Sequence, residues 1–234
     1  MISSNKTDIW VYAHWKGMVT PKLLGVLSAH QAKGRKTFSF EYDSDWLQSE
    51  EPHLLDPDIG WYKGVQFPVD KENFGIFSDA MPDRWGRTLM KRRAILQTKE
   101  SGENPRKLYE LDFLLGVQDE SRMGAIRFKL DKNGSFLNDD LAFPIPPISS
   151  IRALQSAAIA VESDASDKVL KKWLAVLLAP GSSLGVARPK ANVYDEFGQL
   201  WIAKFPSKND VTDKGAWECL TYQLAIRAGI QMST

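Results

Sequence analysis

From residue 38 to residue 42 the chain alternates: Phe38, Phe40 and Tyr42 are separated by Ser39 and Glu41. A two-residue period of this kind predicts a half-buried strand. Two β-prone runs precede it, Ile9-Trp10-Val11-Tyr12 and Leu23-Leu24-Gly25-Val26-Leu27, and Lys33-Gly34-Arg35 supplies a turn. Residues 50–70 are rich in Pro, Gly and Asp and predict loops with short strands. The period then lengthens. Trp85, Leu89 and Leu96 predict a helix that begins near Pro82, with Ser78 or Asp79 as cap, and runs toward Lys99. Ser101-Gly102-Glu103-Asn104-Pro105 ends it. Leu108, Leu111, Leu114 and Leu115 predict a second helix that stops near Gly116, and Ala125 to Leu130 reads as a strand.

Pro144, Pro146 and Pro147 then form a linker. Two helical stretches follow, 150–161 and 166–178. After the small-residue run Gly181-Ser182-Ser183-Leu184-Gly185 come a short strand from Ala191 to Tyr194, a turn at Asp195-Glu196-Phe197-Gly198 and a strand from Leu200 to Phe205. A last helix spans about Lys214 to Ala228, with Asp213 as cap and Gly229 placed to end it. The predicted fold class is α+β, in two domains: a mixed β/α domain over 1–143, and a second domain over 144–234 with an antiparallel hairpin and a helix.

Composition narrows the classes. Of 234 residues 43% are hydrophobic, with 8 Trp, so the chain can build a core. The net charge of +1 gives no global attraction to nucleic acid or to a membrane surface. The single cysteine, Cys219, excludes an internal disulfide and a cysteine zinc cluster, and fits a reducing, cytoplasmic setting. The N-terminus lacks a signal-peptide core, and no apolar run approaches the roughly 20 residues of a membrane helix. His14, His30 and His53 have no metal-ligand spacing. No metal ligand is assigned. Trp10, Trp15, Trp46 and Trp61 read as core or partly buried residues. Arg84, Arg87, Lys91, Arg92 and Arg93 read as a solvated helix face rather than a DNA contact.

Residues 181–218 carry the chemistry. A Gly/Ser-rich turn feeds a hairpin, whose second strand delivers Lys204; the following helix delivers Glu218, 14 positions later. Small-residue loops let backbone N–H groups approach phosphate oxygens. In protein kinases a strand lysine neutralises the phosphates and a helix glutamate holds that lysine. Lys204 shares its strand face with Ile202, as a lysine facing a nucleotide cleft should. Asp195-Glu196-Phe197-Gly198 is not the metal-binding Asp-Phe-Gly of kinases: it has an inserted Glu, precedes the lysine strand and reads as a hairpin turn.

The blocks Gly181-Ser182-Ser183-Leu184-Gly185-Val186-Ala187-Arg188-Pro189-Lys190-Ala191 and Trp201-Ile202-Ala203-Lys204-Phe205-Pro206-Ser207 resemble the HipA family of toxin kinases. Phe77 to Arg87 and Leu114 to Ala125 resemble that family's N-terminal domain signatures. The sequence departs from the pattern at Val186, where the family has its second glycine; a β-branched residue resists unusual backbone angles. The resemblance implies a Ser/Thr protein kinase whose N-lobe holds ATP along the backbone of Gly185, Val186, Ala187, Arg188, Pro189 and Lys190. Lys204 would contact the phosphates and Glu218 would hold Lys204. It also implies a regulatory phosphosite at Ser183, a helix-turn-helix antitoxin of the HipB kind bound to operator DNA, and a protein substrate in the tRNA-charging machinery, leading to growth arrest and persistence.

Sixteen residues follow Glu218. A catalytic Asp, Mg2+ ligands and a C-lobe do not fit there. The chain is therefore expected to be the N-terminal part of a longer kinase and inactive alone. The alternative is a non-catalytic interaction or regulatory module derived from such a kinase.

Overall fold

The computed structural model describes residues 5–32, 35–49, 54–102, 104, 107–137, 145–163, 169–171, 174, 177 and 188–232. The fold is mixed α and β, in two compact units. Among the described residues, no helix is long and apolar enough to cross a membrane.

The first unit comprises Met1–Pro82 and Lys107–Ala142. Its sheet is built from β1 (Asn5–Ala13), β2 (Lys22–Ala32), β3 (Arg35–Tyr42) and β4 (Ile126–Lys129), in the order β3-β2-β1-β4. Every pairing is antiparallel. The alternation seen in the sequence becomes the inner face: Ile9, Val11, Leu27, Phe38, Phe40, Tyr42 and Phe128 are buried. Among the described residues three short helices complete the unit: α1 (Ser44–Leu47), α2 (Gly75–Asp79) and, in the segment beyond residue 107, α4 (Glu110–Leu115). Phe74, Phe77, Phe113 and Leu114 are their buried counterparts, and Phe40 meets Phe77 at 5.4 Å between ring centroids. The β1–β2 register slips between Val11 and Tyr12, so Leu24 is inserted between the residues opposite them. Gly25 stands beside that bulge. A Cβ there would lie 2.1 Å from the Glu41 carbonyl oxygen, so no side chain fits.

One buried cation ties the unit's loops together. Arg122 donates from Nη1 to the Ala80 carbonyl at 2.8 Å, and from Nη2 to the carbonyls of Leu114 and Val117 at 3.0 Å each. Its guanidinium carbon lies 4.6 Å from the Phe128 ring centroid. Two of these acceptors lie at the C-terminal end of α4, where a cation is favoured.

The second unit comprises Asp83–Arg106 and Phe143–Thr234. It holds α3 (Arg84–Ser101), α5 (Ile151–Glu162), the hairpin β5 (Lys190–Tyr194) with β6 (Leu200–Lys204), and α6 (Lys214–Arg227). A 3-10 turn, Ile148–Ser150, leads into α5. The helical stretch expected over 166–178 falls largely outside the described residues; Leu170, Leu174 and Leu177 are buried there at helical spacing. The core joins Trp85, Leu89 and Leu96 of α3 to Leu154, Ala157, Ala158 and Val161 of α5 and to Ala191, Val193, Ala203 and Phe205 of the hairpin region. By sequence position α3 falls within 1–143; by packing it belongs to the second unit. The reason is its apolar stripe, which finds the small-residue face of α5 and the inner face of the hairpin. The helix cap also differs from the expected Ser78 or Asp79. Asp83 caps α3, its Oδ1 accepting from the Gly86 N–H at 2.8 Å, and Pro82 lies just outside the helix.

Candidate functional site

Lys204 closes β6, and Glu218 lies in the second turn of α6. The Lys204 Nζ donates to both carboxylate oxygens of Glu218, at 3.0 Å each. The helix that carries Glu218 is set by Asp213, whose Oδ1 accepts from the Ala216 N–H at 2.9 Å. Tyr222 and Ala225 follow Glu218 at i+4 and i+7 and are the only half-buried residues of α6. The helix thus presents the face of Glu218 toward the hairpin and buries no residue. Both partners of the pair remain more than half exposed, at 56% and 59%.

The opposite lysine has a different fate. Lys190 pairs in register with Lys204 across the hairpin, which puts both side chains on one face. The Lys190 side chain is buried, and its ammonium makes an ion pair with Asp83. The Lys190 carbonyl accepts from the Trp85 Nε1–H at 3.2 Å. Two cations at one register position would repel; here each has its own carboxylate, one in the core and one at the surface.

The two residues before Lys190 are also fastened. Arg188 Nη2 lies 2.5 Å from Asp210 Oδ2, which also accepts from the Ser207 N–H at 2.9 Å. The Ser207 N–H, then the charges of Arg188 and Lys214, hold the Asp210 carboxyl below its ordinary range against a smaller opposing effect of desolvation. The Pro189 carbonyl accepts from the Phe205 N–H at 2.8 Å. Glu162, last in α5, accepts from Ser207 Oγ and from the Lys208 N–H, at 2.8 Å each. The strand that carries Lys204 therefore leaves the sheet through a turn held from both sides.

The turn Asp195–Gly198 is a hairpin turn. Asp195 N–H donates to the Gln199 carbonyl at 3.0 Å, and Gly198 has φ +73°. The Asp195 carboxylate accepts from Phe197 N–H, Gln199 N–H and Trp201 Nε1–H.

Of the residues singled out in the sequence, Ser183, Gly185, Val186 and Ala187 lie outside the described residues. Arg188, Pro189 and Lys190 meet three partners, Asp210, Phe205 and Asp83. Lys204 and Glu218 meet each other. Sequence reasoning missed the three carboxylates that fasten this region: Asp83, Glu162 and Asp210. Asp83 had a usable signal, since Asp followed three residues later by a backbone donor in a new apolar period is a cap pattern. Glu162 had none, because its partners lie 45 or more positions away, and the pairing of Asp210 with Arg188 spans 22 positions. Compared with known proteins, the chain matches no family model, and no curated protein shows significant similarity to it.

Proposed function

We propose that the second unit is the nucleotide-holding N-lobe of a serine/threonine protein kinase of the HipA toxin type, acting within a longer protein. The observation that carries this reading is the Lys204–Glu218 pair, a strand lysine gripped through both carboxylate oxygens by the helix that follows its hairpin. Kinases use that arrangement to aim an ammonium at the phosphates of ATP. Exposed ion pairs contribute only about 0.2–1 kcal/mol, so stability is a poor reason for this one. The apolar surface of α6 adds support: Trp217, Leu220, Leu224 and Ile226 are each more than 45% exposed, as a helix waiting for a second lobe would be.

In this reading Lys204 contacts the phosphates, and the backbone from Gly185 to Lys190 lines the nucleotide. ATP supplies the phosphoryl group, and the Mg2+ ligands and catalytic Asp lie beyond residue 234. Ser183 is the regulatory phosphosite; a phosphate there adds nearly two negative charges beside those of ATP and blocks binding. The partners are a helix-turn-helix antitoxin with its operator DNA and a substrate of the tRNA-charging machinery, in the cytoplasm.

The test is Lys204→Met in the full-length protein of the native reading frame. Side-chain volume is nearly kept and the charge is lost. Phosphoryl transfer from ATP should vanish while the circular dichroism spectrum and melting temperature stay unchanged. Full activity in that variant would overturn the assignment. The same exposed α6 surface favours a second reading, a non-catalytic module that docks on a partner. A native frame with no segment carrying an Asp and an Asn about five apart beyond residue 234 would select it.

A further inference from the structure

The first unit carries a half-open crevice of about 620 Å³, bounded by the β1–β2 turn, the start of β2, α1 and the turn after β4. That volume lies in the range of small-molecule sites. Its lining divides into two chemistries. Trp15, Met18, Leu23 and Trp46 give an apolar surface, on which the two indoles meet edge to face with centroids 5.6 Å apart and planes at 81°. Aromatic side chains of this kind carry large binding area at low entropic cost. Lys22, Lys132, Asp43 and Asp45 share the same cavity.

The four charges do not neutralise one another. Among the described residues, none of them forms an ion pair. Asp43 gives only Oδ1 to the protein, accepting from the Asp45 N–H at 3.0 Å as the cap of α1. Among the described residues its other oxygen, the Asp45 carboxylate and the Lys22 ammonium have no protein partner; Asp45, Lys22 and Lys132 are exposed, and Lys132 lies 5.1 Å from the Trp10 ring centroid. A fatty acid would leave the two carboxylates unmatched, and an alkylamine would leave the two ammonium groups unmatched. Exposed charges of both signs, unpaired with each other and beside an apolar floor, match a ligand that carries both charges on an apolar body.

We propose that this cavity binds a zwitterionic apolar α-amino acid. Its ammonium meets Asp43 and Asp45, its carboxylate meets Lys22 and Lys132, and its side chain lies on Trp15, Met18 and Leu23. All these residues belong to the first unit, so the inference stands apart from the kinase reading.

The test titrates the 234-residue chain with L-phenylalanine by calorimetry, beside N-acetyl-L-phenylalanine, L-phenylalanine amide and the dipeptide Leu-Leu. The free amino acid should bind saturably. Each blocked derivative keeps the ring and loses one charge, and should bind about tenfold more weakly, a difference of about 1.4 kcal/mol. Asp43→Asn combined with Asp45→Asn should weaken L-phenylalanine about tenfold; Asn keeps the helix cap, so the fold is spared. Blocked ligands that bind as well as the free one would reduce the cavity to an apolar crevice and overturn the proposal. So would the absence of saturation below about 10 mM, or unchanged binding in the double variant. A dipeptide that binds more tightly than the amino acid would reassign the site to peptides that carry both termini.

Discussion

Arg122 is a cation enclosed by protein. Burial pushes its guanidinium down to about 10, against the pull of Asp119, so it stays protonated at neutral pH. What offsets the desolvation is three carbonyl oxygens and the face of Phe128. Arg122→Met removes the three hydrogen bonds that those carbonyls accept in a closed space. Each unpaired group costs about 1–3 kcal/mol, so the variant should lose about 3 kcal/mol or more in urea unfolding. Arg122→Lys keeps the charge but not the fork, and should fall between the two. Tyr42 makes the opposite case. It is buried, and loss of hydration raises its phenol to about 12. The folded state therefore holds that proton more tightly than the unfolded chain does. The stability tied to it is complete below pH 10 and lost as pH rises from about 10 toward about 12. Tyr42→Phe should flatten that alkaline decline; an identical decline in both proteins would refute it.

At the scale of elements, α6 is the outlier. It has a side-chain cap, a 14-residue length and no buried residue. Helices usually draw their stability from an amphipathic face packed on a core. This one is tied to the hairpin by the Lys204–Glu218 pair. Its amides should exchange with solvent much faster than those of β1 and β2, and Asp213→Ala, a loss of about 1 kcal/mol in helix stability, should speed them further without moving the main unfolding transition. Glu218→Gln should change global stability by less than about 1 kcal/mol. The sequence made this helix legible, along with its cap and the glycine past its end, because those signals are local. The strands β1, β2 and β3 were legible for the same reason: alternation and turn residues sit within a few positions. The bulge after Val11 was not, since it arises from how two strands slide to place Leu24 and Gly25. Nor was the burial of Lys190, which depends on a carboxylate 107 positions earlier. The sequence placed Lys204 and Glu218 together because strand face and helix face could each be counted; it had no comparable handle on Asp83.

For the molecule as a whole, the decisive fact is the allegiance of α3. Its stripe packs with α5 and the hairpin. Leu89→Ala should therefore cost about 2–5 kcal/mol, and the loss of exchange protection should appear in β5 and β6 while β1 to β3 keep theirs. Loss in the first sheet instead would refute the division into units. Sequence order suggested otherwise because an apolar stripe says that a helix is buried without saying against what.

That allegiance bears on how the protein is made. The ribosome delivers α3 before its partners: roughly a hundred residues separate Ser101 from Phe205, about 5 to 20 seconds of synthesis. Until α5 emerges, Trp85, Leu89 and Leu96 have nothing of their own core to cover them, although the strands β1 to β3 are already out, and the hairpin arrives last. The nascent chain must carry a sticky helix between two stretches of its first unit while the second is still being translated. Ribosome-bound chains stalled near residue 150 should recruit a holding chaperone through this helix, and charged substitutions at Leu89 and Leu96 should release it.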